Sequence, residues 1–576
     1  MSIYKFEVTI MPNIQMEQTK SGLQTLKINN YYIHSKYDPV QEAKRFVDNN
    51  FKEKYVTILF GYGLGYIEKA YREKLSSDKQ NYILVFDPIK EKLTDNVDFG
   101  DSKVFNDTAN LEDYIWKNFK NEISKFVVVS TPNYDKLFPN EYIKLMKKIK
   151  DYQNNQIVDF ATIIKLSLPW EENYSKNRFY MATDPSLEHL ENRFTCPIVI
   201  ASGGPSLNKQ LPLLKKFRQK IILIASGSTA RALVLNDIVP DFVVSIDPKI
   251  ENLRHYNDVD FQNATLIYTP QNLYTVRGMF KNAFVFLPSY DESLYYYYIN
   301  LLNKSYPLLG YGGSCANYAF VVAHYISNGP IAFIGQDLAY TDGQTHANGN
   351  KAKWNLTEDI IKQLGLFYVD GYIGEQVLTS KVFYSMKNSF ESMNKQLAIN
   401  APVFNCTEGG LKIEGFNQIS FKQFCENYCE DNITHTNIET NGENNKKQHH
   451  LLLEKMQKER KICKEIIILC NDGIRLLELS EGQIALSQNT LQKLNHIDEK
   501  LQKALKKVNL NKILEPIALR VQNLFDSATE ETDQQTFKRI VDQNRAFYKQ
   551  IVVAVEKSLE FNTELIEMIE LSLKEE

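Results

Sequence analysis

No apolar run in this chain approaches the roughly 18–20 residues that a membrane-spanning helix needs; runs such as those at 466–470 and 551–555 fall far short. The opening, MSIYKFEVTIMPN, lacks the basic start and continuous apolar stretch of a secretory signal, so a cytoplasmic protein without a membrane span is expected. Cysteine is scarce and odd in number. Seven residues are scattered from Cys196 to Cys470 without a close CxxC pair, which excludes a disulfide framework and leaves free thiols. Cys425 and Cys429, four apart, fall on one face of an expected helix. Nine histidines form no HExxH or paired Cys/His spacing, so no metal is expected. Excess positive charge is missing too: 67 Lys+Arg against 70 Asp+Glu leaves a net charge of −3, with no global field to hold a nucleic acid. A GxxxxGK[ST] phosphate loop is absent, which argues against an ordinary P-loop ATPase.

What the chain does have is length and apolar content. With 576 residues, 43% hydrophobic and 24% charged, it can bury a large core, and at roughly 100–200 residues per domain it accommodates about three or four folding units. Residues 1–165 alternate short apolar runs, Tyr55–Phe60, Tyr82–Phe86 and 126–129, with helical stretches, which predicts an N-terminal α/β, Rossmann-like domain. Residues 166–420 alternate more regularly, with strands expected at Ile198–Ala201, 221–225, 242–246, Thr265–Tyr268, 284–287, Ile331–Ile334 and 403–404. Uninterrupted Val/Ile/Leu runs of this kind fit a mostly parallel sheet covered on both faces. A polar stretch, 421–450, reads as a linker, densest in Asn, Thr, Lys and Glu from 431 on. Beyond it, 451–576 carries apolar residues at three- and four-residue spacing and reads as an all-helical C-terminal domain, either a self-packed bundle or a platform for a helical partner.

In a doubly wound parallel sheet, ligands bind beyond the carboxyl ends of the strands. The strand ends here are small and polar. The first central strand runs into Ser202-Gly203-Gly204-Pro205-Ser206, whose glycines permit a tight turn and whose proline suits a first helical position. Such a turn offers amide donors and a positive helix end to a phosphate. Ser226-Gly227-Ser228-Thr229, Asp247-Pro248, Thr269-Pro270, Gly310 to Ser314, Gly335-Gln336-Asp337 and Asn405-Cys406-Thr407-Glu408-Gly409-Gly410 close or follow the later runs. In the N-terminal segment, Gly61-Tyr62-Gly63-Leu64-Gly65 after one strand and Asp87 after the next fit a dinucleotide or S-adenosylmethionine fold, read here as an accessory domain. The tyrosine run 295–298 reads as packing.

The runs IVIASGGPSLNKQLPLLKKF, SIDP, YGGSCANYAF, GQDLAYTDGQTHA and NCTEGGLKIEG, in that order, together with HSKYDP followed by EAKRF upstream, resemble the motility-associated factor (Maf) glycosyltransferases over most of residues 30–420. The resemblance implies a glycosyltransferase that moves a nonulosonic acid, of pseudaminic or legionaminic type, from its CMP-activated form to Ser or Thr hydroxyls of flagellin before export, with no cofactor beyond that donor. The central segment is also similar to bacterial sialyltransferases that use CMP-sialic acid without a metal. That similarity places Gly203, Gly204 and Ser206 near the CMP phosphate and ribose, Ser226 and Asp247 along the same pocket, and Tyr340 against the departing phosphate. Where those enzymes carry a histidine before Tyr-Ile-Gly, this chain has Asp370-Gly371 before Tyr372-Ile373-Gly374.

Displacing CMP from an anomeric carbon builds positive charge on the sugar and negative charge on the leaving phosphate, so donors must converge on that phosphate. A base at the acceptor hydroxyl adds about 10²–10⁴ in rate. His346, Asp337 and Asp370 are the candidates for it. Ser202, Gly313, Ser314, Gln336, Asn405, Thr407 and Glu408 complete the expected donor pocket, and Lys249, Lys381 and Tyr384 are candidates for the sugar carboxylate or phosphate. Competing readings are a nucleotide-dependent pterin pyrophosphokinase, to which the GGPSL-type segment is also similar, a methyltransferase using the turn at 61–65, and a non-catalytic flagellin-binding or export factor.

Overall fold

The computed structural model describes residues 12–75, 82–94, 97–119, 125–261, 263–289, 292–310, 312–350, 356–397, 401–433, 445–480, 483, 485–525 and 531–575; the side chains of 155, 157–161, 511, 512, 519, 522 and 523 are not described. Tyr311 and the part of the expected linker at 434–444 thus lie outside the described residues. The chain forms two compact units, Met1–Ile164 and Lys165–Glu576.

The first unit opens with a three-stranded antiparallel sheet, Ile14–Gln18, Gln24–Ile28 and Tyr31–Tyr32, which the sequence reading did not anticipate. Four parallel strands follow: β1 (Tyr55–Phe60), β2 (Tyr82–Phe86), β3 (Val104–Phe105) and β4 (Lys125–Ser130), in the order β3-β2-β1-β4. Their inner residues, Ile58, Phe60, Leu84 and Phe86 among them, are almost wholly buried.

The second unit contains an eight-stranded, all-parallel sheet built from β5 (Ile198–Ala201), β6 (Ile222–Ser226), β7 (Phe242–Ser245), β8 (Thr265–Tyr268), β9 (Asn282–Val285), β10 (Ile331–Ile334), β11 (Val403–Asn405) and β12 (Asn417–Gln418). The spatial order is β9-β8-β7-β6-β5-β10-β11-β12. Every residue of β5, β6, β7, β8, β10 and β11 is buried, as expected of parallel strands covered on both faces. The register aligns Ile198 with Ile331 on one side and with Ile222 on the other.

Four helices close the chain: Asn445–Glu478, Gln488–Leu505, Asn511–Leu524 and Asp533–Glu575. The two long ones pack through Ile466, Cys470 and Ile474 against Tyr548, Ile551 and Val555. Leu452, Met456, Leu565 and Ile569 instead join the core that contains Val199 and Leu266 of the sheet. The helices and the sheet therefore share one compact unit. The α/β fold with a mostly parallel central sheet and helical C-terminal region is as the apolar periodicity predicts. Among the described residues no helix is long and apolar enough to cross a membrane.

Candidate functional site

Both parallel sheets wind outward from their first strand and then return to its other side. That places a topological switch point between β1 and β4 in the first unit and between β5 and β10 in the second, where crevices in such folds form. The two switch points differ in what fills them.

In the first unit, the turn after β1 is plugged by protein. A Cβ on Gly61 would lie 2.5 Å from Cδ1 of Tyr134, a fully buried ring, so only glycine fits there. His34, also buried, accepts the Leu64 N–H on Nε2 at 2.9 Å. Burial pushes the His34 imidazole pKa down to about 3, so the ring is neutral and free to accept. Asp87, the acid of the dinucleotide-type spacing, turns inward: its Oδ2 accepts the Tyr62 N–H at 2.7 Å and the Tyr134 hydroxyl at 3.0 Å, and its Oδ1 accepts the Ile89 N–H at 2.9 Å. The fingerprint spacing is real, but the acid holds the loop rather than a ligand.

In the second unit, the turn after β5 meets the turn after β10. Asp337 is almost wholly buried and caps helix Leu207–Phe217: both its oxygens lie 3.3 Å from the Ser206 N–H. Its Oδ2 accepts the Ser206 hydroxyl and its Oδ1 the Thr341 hydroxyl, each at 2.6 Å. Burial pushes the Asp337 carboxyl pKa up while these bonds pull it down, with burial the larger effect. The Gly204 N–H donates to the Gly335 carbonyl at 2.8 Å. A Cβ on Gly204 would sit 2.6 Å from that carbonyl and overlap the Asp337 carboxylate, which explains a glycine there. The amides of Gly204 and Ser206, expected to face a phosphate, are therefore taken within the protein.

Gly203 is the open position. Among the described residues its N–H takes no hydrogen bond, and its carbonyl accepts the Ala347 N–H at 2.9 Å. A Cβ there would stand 3.2 Å from Thr229 Oγ1, 3.3 Å from Asn350 Nδ2 and 3.8 Å from His346 Cδ2. Thr229 Oγ1 lies 2.8 Å from the Ser226 hydroxyl. One amide, two hydroxyls, a carboxamide and an imidazole thus converge beside the end of β5.

Around this point, Ser202 Oγ donates to Gln336 Oε1 at 2.5 Å, and the Gln336 N–H donates to Thr407 Oγ1 at 3.1 Å. Asn405 is fully buried and internally satisfied, bonded to Thr407 and Gln418. A neighbouring patch holds Asp247, whose Oδ2 lies 3.6 Å from the Cys315 thiol; that thiol also reaches the backbone of Gly227 and Ile246. Ser314 caps helix Cys315–Ile326 through the Asn317 N–H, and Gly313 sits beside Met386.

Other expected site residues stand apart from this cluster in their contacts. Glu408 is exposed and accepts the Phe421 N–H at 2.6 Å, capping the next helix. Asp370 is exposed on an antiparallel hairpin, Phe367–Asp370 with Gln376–Thr379, and accepts from Gln376 at 2.6 Å. Lys381 and Tyr384 are exposed on helix Lys381–Gln396, and Lys249 is half-buried after β7. Tyr340 is half-buried, with its N–H on the Leu378 carbonyl and its ring 5.3 Å from Phe383. Residues not singled out from sequence are Thr229, Asn350 and Cys315. Thr229 and Cys315 lie in motifs whose neighbours were named, whereas Asn350 reaches the site through a loop that folds back over Gly203 and carries no periodic signal.

Residues 172–343 match the family model described as "6-hydroxymethylpterin diphosphokinase MptE-like". A search of the curated proteins finds no match. Among solved structures, a Maf glycosyltransferase from Magnetospirillum magneticum AMB-1 is similar, with a TM-score of 0.54 at 13% identity, over 98% of this chain and 92% of that one. From end to end, then, the chain has the fold of a Maf glycosyltransferase, with an MptE-like segment around its central switch point.

Proposed function

We propose that the chain is a glycosyltransferase that transfers a nonulosonic acid from a CMP-activated donor to Ser or Thr hydroxyls of flagellin. One observation carries the reading: at the central switch point the Gly203 N–H is open while Ser226, Thr229, Asn350 and His346 crowd round it. These donors are arranged to stabilise charge growing on a leaving phosphate without a metal. His346, half-buried beside Gly203, is the general base of this reading. Asp337 acts as a positioning residue, because both its oxygens already hold the turn. Gln336 and Thr407 fix the facing loop, and Asp247 with Ser314 extends the pocket toward the sugar. Tyr340 is the residue for the departing phosphate, Lys381 and Tyr384 are those for the sugar carboxylate or phosphate, and Asp370, on the hairpin that follows β10, is the reserve candidate for the base. The likeness in fold to a solved Maf glycosyltransferase supports the reaction class.

The test is to incubate the purified chain with flagellin and a CMP-activated nonulosonic acid and read flagellin's intact mass. The reading expects a sugar-sized increment with the native chain and its loss in His346→Ala. No increment with the native chain overturns it. The MptE-like match over 172–343 favours a second reading, transfer of pyrophosphate from ATP to a hydroxymethylpterin at the same crevice. Stabilisation against heat by ATP with magnesium, and not by CMP, would favour that reading instead.

A further inference from the structure

A cavity lies far along the chain from the crevice residues, where helix Glu292–Leu302, helix Asn445–Glu478 and the connection after helix Gln488–Leu505 meet. Its volume is about 710 Å³, within the range of roughly 300–1,000 Å³ of small-molecule sites. Lys455, Lys458, Lys506 and Lys507 line it, and none of the four forms a salt bridge among the described residues. The single carboxylate of the lining, Glu459, is already neutralised by Arg178 at 3.1 Å and accepts the Tyr297 hydroxyl at 2.7 Å. The pocket therefore carries unbalanced positive charge. A helix C-terminus at 505 favours Lys506 and Lys507 locally, and the Lys455 ammonium donates to the Asn300 carbonyl at 3.0 Å and to that of Leu301 at the end of helix Glu292–Leu302, which leaves Lys458 without such a local partner. Burial, and after it the charge of Lys458, push the Lys455 ammonium pKa down.

A second observation points independently to a ligand. Asn509 lines the same cavity and is 5% exposed, and its Nδ2 has no hydrogen-bond partner among the described residues. An unmade bond on a buried amide costs about 1–3 kcal/mol, so natural sites supply a partner. Tyr296, 62% exposed on the rim, offers a ring face.

We infer that this cavity binds a phosphorylated small molecule of nucleotide size, with its phosphates on the lysines, a polar edge on Asn509 and a ring against Tyr296. The volume, the amide donor and the aromatic rim favour such a ligand over an acidic polypeptide. A separate effector, or a second copy of a nucleotide used elsewhere on the protein, would share this chemistry.

The full chain is titrated calorimetrically with ADP, ribose 5-phosphate and adenosine. ADP is expected to bind, ribose 5-phosphate more weakly, and adenosine not at all. Lys458→Ala with Lys507→Ala, both exposed, is expected to weaken ADP at least tenfold, while Gly203→Val leaves its affinity unchanged. Tyr296→Trp supplies a local reporter whose fluorescence ADP should quench saturably. The inference is overturned if ADP leaves that reporter unchanged, if the lysine changes do not weaken it, or if Gly203→Val abolishes its binding. It is likewise overturned if a poly-glutamate peptide binds and ADP does not.

Discussion

Replacing Asp337 by alanine separates its two possible roles, base or brace. The carboxylate holds the Ser206 N–H and hydroxyl at the start of helix Leu207–Phe217, and the Thr341 hydroxyl in the loop after β10. Loss of a helix cap costs about 0.5–2 kcal/mol. Each hydrogen bond to a charged group contributes about 1.5–3 kcal/mol, offset by relief from burying the carboxylate. The net destabilisation is therefore about 3 kcal/mol, which corresponds to roughly 100-fold in a local opening equilibrium. The Leu207 and Lys209 amides, which donate to the carbonyls of Gly204 and Ser206, should exchange with solvent about 100-fold faster in Asp337→Ala. A peptide covering residues 203–215 reads this by hydrogen-exchange mass spectrometry, with a peptide from helix Asn445–Glu478 as the unaffected control. Unchanged protection at residues 203–215, combined with lost activity, would refute the bracing argument and return Asp337 to the role of base.

The two glycines of the same turn should respond differently to one added methyl. Gly204→Ala should lower the melting temperature by several degrees because its Cβ overlaps the Asp337 carboxylate, whereas Gly203→Ala, whose Cβ meets only side-chain ends at 3.2 Å and beyond, should lower it less and weaken the binding of CMP. Glu171, buried with its Oε1 on Ser558, has its pKa pushed up to about 7 by burial, above its ordinary 4.5. An acid whose folded pKa is raised stabilises the fold most below its unfolded pKa, so about 3 kcal/mol is lost as the pH rises from about 4.5 through 7. Glu171→Gln should flatten that loss when denaturation is compared at pH 5 and pH 8. His34 has the opposite sign: with its folded pKa lowered to about 3, stability is full above about 6.5 and falls by about 2 kcal/mol by pH 5. Proteolysis within residues 61–66 at pH 5, absent at pH 7.5, reads that loosening.

The strands were legible because each is a short apolar run bounded by turn residues. Tyr55–Phe60, Tyr82–Phe86, Ile198–Ala201, Thr265–Tyr268 and Ile331–Ile334 fall where the sequence places them, and the ends of the other expected strands shift by a residue or two, while the two-residue strands Val104–Phe105 and Asn417–Gln418 are too short to give a periodic signal. The antiparallel strands near residues 14–32 and the hairpin at 367–379 were not foreseen, because strands such as Ile14–Gln18 and Phe367–Asp370 are only partly buried and lack a continuous apolar core face. At the site, the glycine turn, Ser226 and Gln336 were readable as strand ends. That Asp337 caps Ser206, and Asp87 the turn at 61–65, was not, since a buried cap and a ligand-binding acid share one sequence position and differ only in where the side chain turns. Asn350 could not be found from spacing, because its approach to Gly203 depends on a loop fold set by tertiary contacts.

The central claim is that the phosphate of a nucleotide-activated sugar rests beside Gly203. A crystal soaked with CMP should show the phosphate within hydrogen-bonding distance of the Gly203 N–H and the Thr229 hydroxyl, with His346 facing it. CMP bound elsewhere, or a crevice that stays empty at saturating CMP, would contradict the claim.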